Sequence, residues 1–240
     1  MAESGARVND FEDAIDFIFH SRESLTGGVR VGGSEVWSLL AKHLELSAAG
    51  LGLACLIAVP VGLWLGHIRR GQFLAISVSN IGRAVPTLAL IAFFIAYVGI
   101  GFTNVMLALV LLAIPPILTN SYVGVTQVDP DAVDAARGVG MTGAQIVRKV
   151  ELRLALPIIF GGIRTSAVNV IATATIAPLA GVVTLGNPII NAQVYGDAGR
   201  LGAAIVVAVV AVAADGGFGL LQRAVTPRAL RLANRRIETA

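Results

Sequence analysis

Four long stretches of this 240-residue chain contain no Asp, Glu, Lys or Arg. They cover residues 46–68, 84–128, 165–196 and 201–214, and each is rich in Leu, Ile, Val and Ala. An α-helix needs about 20 such residues to cross the roughly 30 Å hydrocarbon layer of a membrane, where charges are costly. The pattern predicts an all-α integral membrane protein. The charged fraction of 14%, against about 25% in an ordinary soluble domain, makes the same prediction.

The longest stretch holds two spans, because the glycine-rich segment 98–104 divides it. The five predicted crossings cover residues 46–66, 72–98, 103–123, 160–182 and 202–222. The second span must begin near Gly71, since a start after Arg83 would leave only about 22 Å of helix. Arg83 then lies at membrane depth, and Pro86 is expected to kink the helix there.

The distribution of Lys and Arg predicts the orientation. If the loops 67–71 and 124–164 and the tail 223–240 share one side, that side carries 12 cations. The other side carries Arg200 and an N-terminal segment with four cations and eight acids. The positive-inside rule then places the C-terminus in the cytoplasm and the N-terminus outside.

The chain divides by composition into three parts. Residues 1–45 form a polar extracytoplasmic extension, in which Phe11, Ile15 and Ile18 share one face of a predicted interfacial helix from Asp10 to Phe19. Residues 46–222 form the transmembrane domain, which includes a long cytoplasmic loop at 124–159. Residues 223–240 form a basic cytoplasmic tail.

The cytoplasmic loop predicts two helices joined by a glycine turn. Asp129 is a good N-cap and Pro130 suits the first helical position. Gly138 and Gly140 allow the backbone to leave the first helix with positive φ, and Thr142 with Gln145 predicts a capping box for the second. Capped helices of this kind favour a docking element over a solvated connector.

The second loop helix combines an apolar stripe with basic residues. Ile146, Val147 and Val150 lie on the stripe, beside Arg148, Lys149 and Glu151. We expect the apolar side chains to bury area against a partner and the basic ones to contribute electrostatic attraction.

The loop sequence resembles a known motif. The run Asp134-Ala-Ala-Arg-Gly-Val-Gly-Met-Thr142, followed by Val150-Glu-Leu152 and Leu154-Ala-Leu-Pro157, is similar to the EAA motif of permease subunits in binding-protein-dependent ABC importers. The resemblance implies a coupling helix that seats in a cleft of a cytoplasmic ATPase. The docking residues that it implies are Asp134, Ala135, Ala136, Gly140, Ile146, Arg148, Lys149, Val150 and Arg153.

Flanking segments narrow the resemblance to osmoprotectant uptake permeases, which import glycine betaine, carnitine, choline or proline. These segments are His43-Leu44, 83–90, 115–122 and 161–165. The resemblance implies a type I ABC importer permease fold in a bacterial inner membrane. The chain departs from the family at Asp134, which replaces a Glu, and at Arg153, which replaces a Pro.

Energy for transport is expected from a separate subunit. The sequence contains no Gly-Lys dipeptide and therefore no P-loop. ATP and Mg²⁺ are expected on a dimeric ATPase, and this chain is expected to be neither an enzyme nor a binder of any cofactor or metal. The other implied partners are membrane lipid, a second permease subunit, identical or different, and an extracytoplasmic substrate-binding protein; nucleic acid is not among them.

Candidate residues for the translocation pathway are Arg83, Pro86 and Tyr97. Asp215, in the last span, is expected to pair with Arg83 or with a neighbouring backbone group. The alternatives to an importer are a secondary transporter and a non-conducting structural subunit. Ion coupling needs acidic residues within the spans, and Asp215 is the only acid in any predicted crossing, which disfavours the secondary transporter.

Overall fold

The computed structural model describes residues 2–69, 73, 77 and 85–226, with side chains from residue 10 onward. These residues are almost entirely helical, apart from one antiparallel hairpin. The elements are α1 (Ala2–Phe19), β1 (Ser21–Glu23), β2 (Arg30–Gly32), α2 (Ser34–His67), α3 (Thr87–Val98), α4 (Phe102–Thr126), α5 (Pro130–Gly138), α6 (Gly143–Ile146), a π-helical turn (Val147–Glu151), α7 (Leu152–Thr173), a 3₁₀ segment (Ala174–Ala180), α8 (Gly186–Ile190) and α9 (Ala192–Val225).

Four described helical segments are long and apolar enough to cross a membrane. They are Ser34–His67, Phe102–Thr126, Gly143–Ala180 and Ala192–Val225. They contain the predicted first, third and fifth spans and all but the last two residues of the predicted fourth span, 160–182. Of the 27 residues in the predicted second span, 11 lie outside the described residues, and Arg83 is one of them. Its described end is α3, a shorter apolar helix of 12 residues. Residues 227–240 of the predicted tail are also outside the described part of the chain.

The first span begins earlier than the sequence predicts, at Ser34 rather than near residue 46. The prediction stopped at Glu45 because charges oppose insertion. In the structure, however, Lys42 and Glu45 are exposed while His43 is buried. The His43 Nε2–H donates to the carbonyl oxygen of Ile171 at 2.9 Å. The helix continues through this polar segment because the charged side chains of Lys42 and Glu45 face outward and the buried His43 imidazole is hydrogen-bonded.

The N-terminal helix α1 packs against the protein on a different face from the predicted one. Phe17 and Ile18 are buried in a cluster with residues of β2, α2 and α9. Ile18 is therefore wrongly grouped with Phe11 and Ile15, which are exposed. The close approach depends on Gly202, where an added Cβ would lie 2.9 Å from the carbonyl oxygen of Ala14.

The chain forms two compact units, and several helices contribute to both. The first unit contains Met1–Gly50, Pro86–Val110 and Val168–Ala213. The second contains Leu51–Val85, Leu111–Ala167 and Ala214–Ala240.

In the second unit, α2 and α4 touch through glycines. A Cβ added to Gly62 would lie 2.5 Å from the Ser121 Cβ, and one added to Gly66 would lie 2.6 Å from the Val125 Cβ. A step of four residues along α2 matches a step of four in the same direction along α4, so the two helices run parallel.

The next helix pair is antiparallel. Gly162 on α7 faces Asn120 on α4, and further along the pair the Ser166 hydroxyl donates to the carbonyl oxygen of Ala113 at 2.9 Å. Residue numbers rise on one helix as they fall on the other. This is the reversal expected for consecutive spans, and it places the α4–α7 connection at one end of the pair.

We expect Gly62→Ala to destabilise the protein, because the new methyl group would overlap Ser121 and the carbonyl oxygen of Leu118, 2.9 Å away. Overpacking of this kind costs about 1–3 kcal/mol. The measurement is the thermal unfolding midpoint in detergent. Gly52→Ala is the matched control, because a Cβ there has nothing within 4 Å. Equal midpoints for the two variants would contradict the close α2–α4 contact.

Candidate functional site

The loop between α4 and α7, residues 127–151, is the connecting loop, and its first helix begins as predicted. The Asp129 Oδ1 accepts a hydrogen bond from the backbone N–H of Asp131 at 2.9 Å, and Pro130 occupies the first helical position. The side chain therefore satisfies one of the free N–H groups at the start of α5.

The turn between the two loop helices depends on one glycine. Gly140 adopts φ of 81°, which favours glycine over residues with a Cβ. The prediction of positive φ at Gly138 is wrong, because Gly138 is the last residue of α5 and continues the helix. After the turn, the predicted capping box is present. The Gln145 side chain accepts from the N–H of Thr142 at 2.9 Å, and the Thr142 hydroxyl accepts from the N–H of Gln145 at 3.4 Å.

The connecting loop has a hydrophobic core of its own. Val128, Val133, Ala136 and Ile146 are buried together, and Val150 is partly buried against them. Ile146 is only 2% exposed. The expectation that Ile146 buries area against a partner is therefore wrong for this structure, since its area is already buried within the loop, and Ala136 is buried in the same way. These contacts give the loop a defined shape.

The remaining predicted docking residues lie on the loop surface. Asp134, Ala135, Gly140, Arg148, Lys149 and Arg153 are all exposed. Asp134 pairs with Arg137 across one helical turn, at 2.9 Å between Oδ1 and Nη1, and both side chains are more than half exposed. Such an exposed pair contributes little to stability. Because both side chains are exposed, both charges are accessible to a partner.

A buried carboxylate ties the connecting loop to the end of the first span. The side chain of Glu151, in the π-helical turn, is 6% exposed, and the His67 Nδ1 lies 2.8 and 3.0 Å from its two oxygens. His67 is the last residue of α2. The imidazole N–H therefore donates to the carboxylate. Glu151 is the one acid between Asp134 and Asp197 in the sequence. The sequence predicted neither its burial nor its partner.

A cavity of about 320 Å³ opens beside this contact. The charged side chains of Arg69, Asp134, Arg137 and Glu151 line it, together with the His67 imidazole. Arg69 holds left-handed backbone geometry with φ of 50°, which is uncommon for a residue other than glycine. The cavity joins the end of α2 to the surface helix α5, and it can accept a polar side chain or ordered water.

The predicted pathway residues do not form one described cluster. Arg83 lies outside the described residues, and Pro86 is exposed at the start of α3. Tyr97, at the other end of α3, is 76% exposed, and its ring centroid lies 4.8 Å from that of Phe93. Phe93 was not among the predicted residues, although its spacing of four places it on the same helical face as Tyr97.

Asp215 has a different partner from those predicted. Its carboxylate binds Arg164 of α7 through two hydrogen bonds, in which Nε donates to Oδ1 and Nη2 donates to Oδ2. A backbone group is therefore not the described partner, and the pairing with Arg83 stays a prediction, because Arg83 lies outside the described residues. The residues are 51 positions apart and meet because α7 and α9 pack side by side.

Comparisons with known proteins agree with this architecture. Residues 58–230 match the family model of the binding-protein-dependent transport system inner membrane component. The chain is 35% identical over 204 residues to a glycine betaine/carnitine/choline transport system permease protein of Bacillus subtilis (strain 168), covering 85% of this chain and 94% of that protein. It is 37% identical over 191 residues to a carnitine transport permease protein of Listeria monocytogenes, covering 79% and 88%.

Solved structures support the same fold. An inward-facing MetNI methionine ABC transporter chain superposes with a TM-score of 0.70 at 22% identity, covering 80% of this chain and 96% of that one. The predicted fold class, an all-α membrane protein of the type I ABC importer permease kind, is confirmed.

We expect Glu151→Ala to loosen the connecting loop, because it leaves the His67 N–H without its buried acceptor. Loss of such a partner costs about 1–3 kcal/mol. Amide hydrogen exchange over residues 143–154 should accelerate. Asp134→Ala is the control, since it removes an exposed acid from the same loop. Exchange that is equally slow in both variants would show that the His67–Glu151 contact does not hold the loop.

Proposed function

This chain belongs to the family of inner membrane components of binding-protein-dependent transport systems, and we propose that it is the permease subunit of an importer for osmoprotectants. The observation that carries this proposal is the identity of 34–37% to permeases for glycine betaine, carnitine and choline over about four-fifths of the chain or more. The substrate class is a small, methylated-ammonium or amino-acid osmolyte of the glycine betaine, choline, carnitine or proline type.

The connecting loop is the docking element for the ATPase in this proposal. Its internal core and two capped helices support a rigid segment that moves as a unit. The exposed Asp134, Arg148, Lys149 and Arg153 offer charges of both signs to a partner surface. Hydrolysis of ATP takes place on the partner, with its Mg²⁺, and closure of the ATPase dimer displaces the loop.

Displacement of the loop reaches the spans through two connections. One is the continuous helical run Gly143–Ala180, which carries the π-helical turn into α7. The other is the His67–Glu151 contact, which joins the loop to α2. The spans then alternate between access from outside and access from the cytoplasm.

The remaining partners and the orientation follow from the same proposal. A second permease subunit, identical or different, completes the pathway, and an extracytoplasmic binding protein delivers the solute. The basic loops 67–71 and 124–164 support a cytoplasmic connecting loop and C-terminus, with the N-terminus outside the inner membrane.

Uptake by the complete transporter tests the proposed substrate class. Radiolabelled glycine betaine, choline, carnitine and proline are supplied to cells that carry all subunits and to cells that lack only this chain. We expect uptake of at least one solute to depend on this chain and on ATP. Uptake of all four that is unchanged without the chain would contradict the proposal, and so would uptake that persists when ATP hydrolysis is blocked on the partner.

Reversing the exposed basic residues tests the docking surface. The triple variant Arg148→Glu, Lys149→Glu and Arg153→Glu should reduce ATPase stimulation and uptake at least tenfold, because it replaces attraction by repulsion at the partner surface. Arg200→Glu is the control, because Arg200 is also exposed and basic but lies on α9 in the first unit. Full ATPase stimulation by the triple variant, at normal membrane content, would place docking elsewhere.

A further inference from the structure

Two charged side chains meet within segments long and apolar enough to span a membrane. Arg164 lies in Gly143–Ala180 and Asp215 lies in Ala192–Val225. Their side chains are 39% and 42% exposed. A charge at membrane depth is too costly to face lipid and turns toward water or the interior of a bundle. The exposed side of this pair therefore turns toward water or protein and not toward the hydrocarbon layer.

The pair retains unused hydrogen-bonding capacity. A guanidinium has five N–H donors and a carboxylate accepts at about four positions, and the two bonds between Arg164 and Asp215 use two of each. About three donors and two acceptor positions remain. The exposed edge of the ion pair thus presents a cation and an anion side by side, and a ligand can bind both while the Arg164–Asp215 hydrogen bonds stay intact.

Glycines leave room beside the pair. The sequence from Asp215 to Gly219 contains three glycines. A Cβ added at Gly219 would lie 3.5 Å from Nη1 of Arg164, while one added at Gly216 or Gly217 would have nothing within 4 Å. The guanidinium therefore rests on bare backbone, and the helix surface next to the carboxylate is open.

The two helices do not depend on this ion pair alone. The Gln222 side-chain amide on α9 donates to the carbonyl oxygen of Pro157 at 2.7 Å. This bond crosses the same α7–α9 contact, two helical turns away from Asp215, and carries no charge. The Gln222–Pro157 bond therefore serves as the control for a contact that holds the two helices together without offering a charge to a solute.

We infer that Arg164 and Asp215 form a contact site for a zwitterionic solute on the translocation pathway. The carboxylate of the solute binds the free edge of the Arg164 guanidinium, and its quaternary ammonium lies beside the Asp215 carboxylate. Glycine betaine and carnitine satisfy both charges, whereas choline, which has no carboxylate, engages Asp215 alone. This inference rests on the proposed osmoprotectant function and names the residues that separate zwitterions from cations.

The test measures initial uptake of glycine betaine and choline by the complete transporter, normalised to the amount of this chain in the membrane. Arg164→Gln should reduce glycine betaine uptake at least tenfold more than choline uptake. Asp215→Asn should change the ratio in the opposite direction, because the remaining Arg164 cation repels choline. Gln222→Ala is the structural control and should affect both solutes equally. An unchanged ratio in both charge variants would overturn the inference.

Water accessibility supplies a second measurement that needs no substrate. Cys55→Ser removes the single native thiol. Thr165→Cys then places a thiol at an exposed position next to Arg164, and Leu220→Cys places one at an exposed apolar position of α9. In inside-out vesicles, a charged, membrane-impermeant thiol reagent should label Thr165→Cys and not Leu220→Cys.

The two measurements separate the possible failures. Absence of labelling at Thr165→Cys would show that this part of α7 does not meet water and would overturn the inference. If the intact transporter imports none of glycine betaine, choline, carnitine and proline, the proposed substrate class fails and the zwitterion site fails with it. If it imports glycine betaine and choline but the charge variants leave the ratio of the two uptake rates unchanged, the proposed function stands and the inference alone is overturned.

Discussion

Close contact between α2 and α4 is the constraint on which the second unit depends. Lipid supplies little hydrophobic force to join helices, so spans associate where small residues let their backbones approach. Gly62 and Gly66 provide that approach against Ser121 and Val125. The contact sets the two helices parallel and so brings the end of α2 level with the end of α4. There His67 reaches the connecting loop and binds Glu151. A contact within the spans thus determines where the loop is anchored.

The local features of the loop could be predicted from sequence because each depends on residues within a few positions of one another. The Asp129 cap, the glycine turn and the Thr142–Gln145 box all belong to this class. The long-range features could not be predicted. Glu151 meets His67 across 84 positions and Asp215 meets Arg164 across 51, and the pairing depends on which helices are neighbours. The burial of Ile146 could be predicted only in part. The sequence shows that Ile146 lies on an apolar stripe, but it does not show that other residues of the connecting loop cover that stripe.

Burial explains why the His67–Glu151 contact and the Arg164–Asp215 ion pair have different roles. Glu151 is almost fully enclosed, and both of its carboxylate oxygens lie within hydrogen-bond distance of the His67 Nδ1. Removing the partner of such a group is costly, and this suits a structural anchor. Arg164 and Asp215 are each about two-fifths exposed. Solvent weakens their mutual attraction, and their outer edges stay free for a ligand.

If the connecting loop docks the ATPase as proposed, the loop core limits how force can pass to the spans. Because Val133, Ala136 and Ile146 are packed together, a push on the surface of α5 moves α6 as well and does not merely bend the Gly140 turn. The motion then continues through the π-helical turn into α7 without a break in the helical run. Arg164 lies on that same helix, opposite Asp215 on α9. A displacement of α7 along its axis relative to α9 would shift the guanidinium against the carboxylate, so loop movement and the polarity presented to a solute change together.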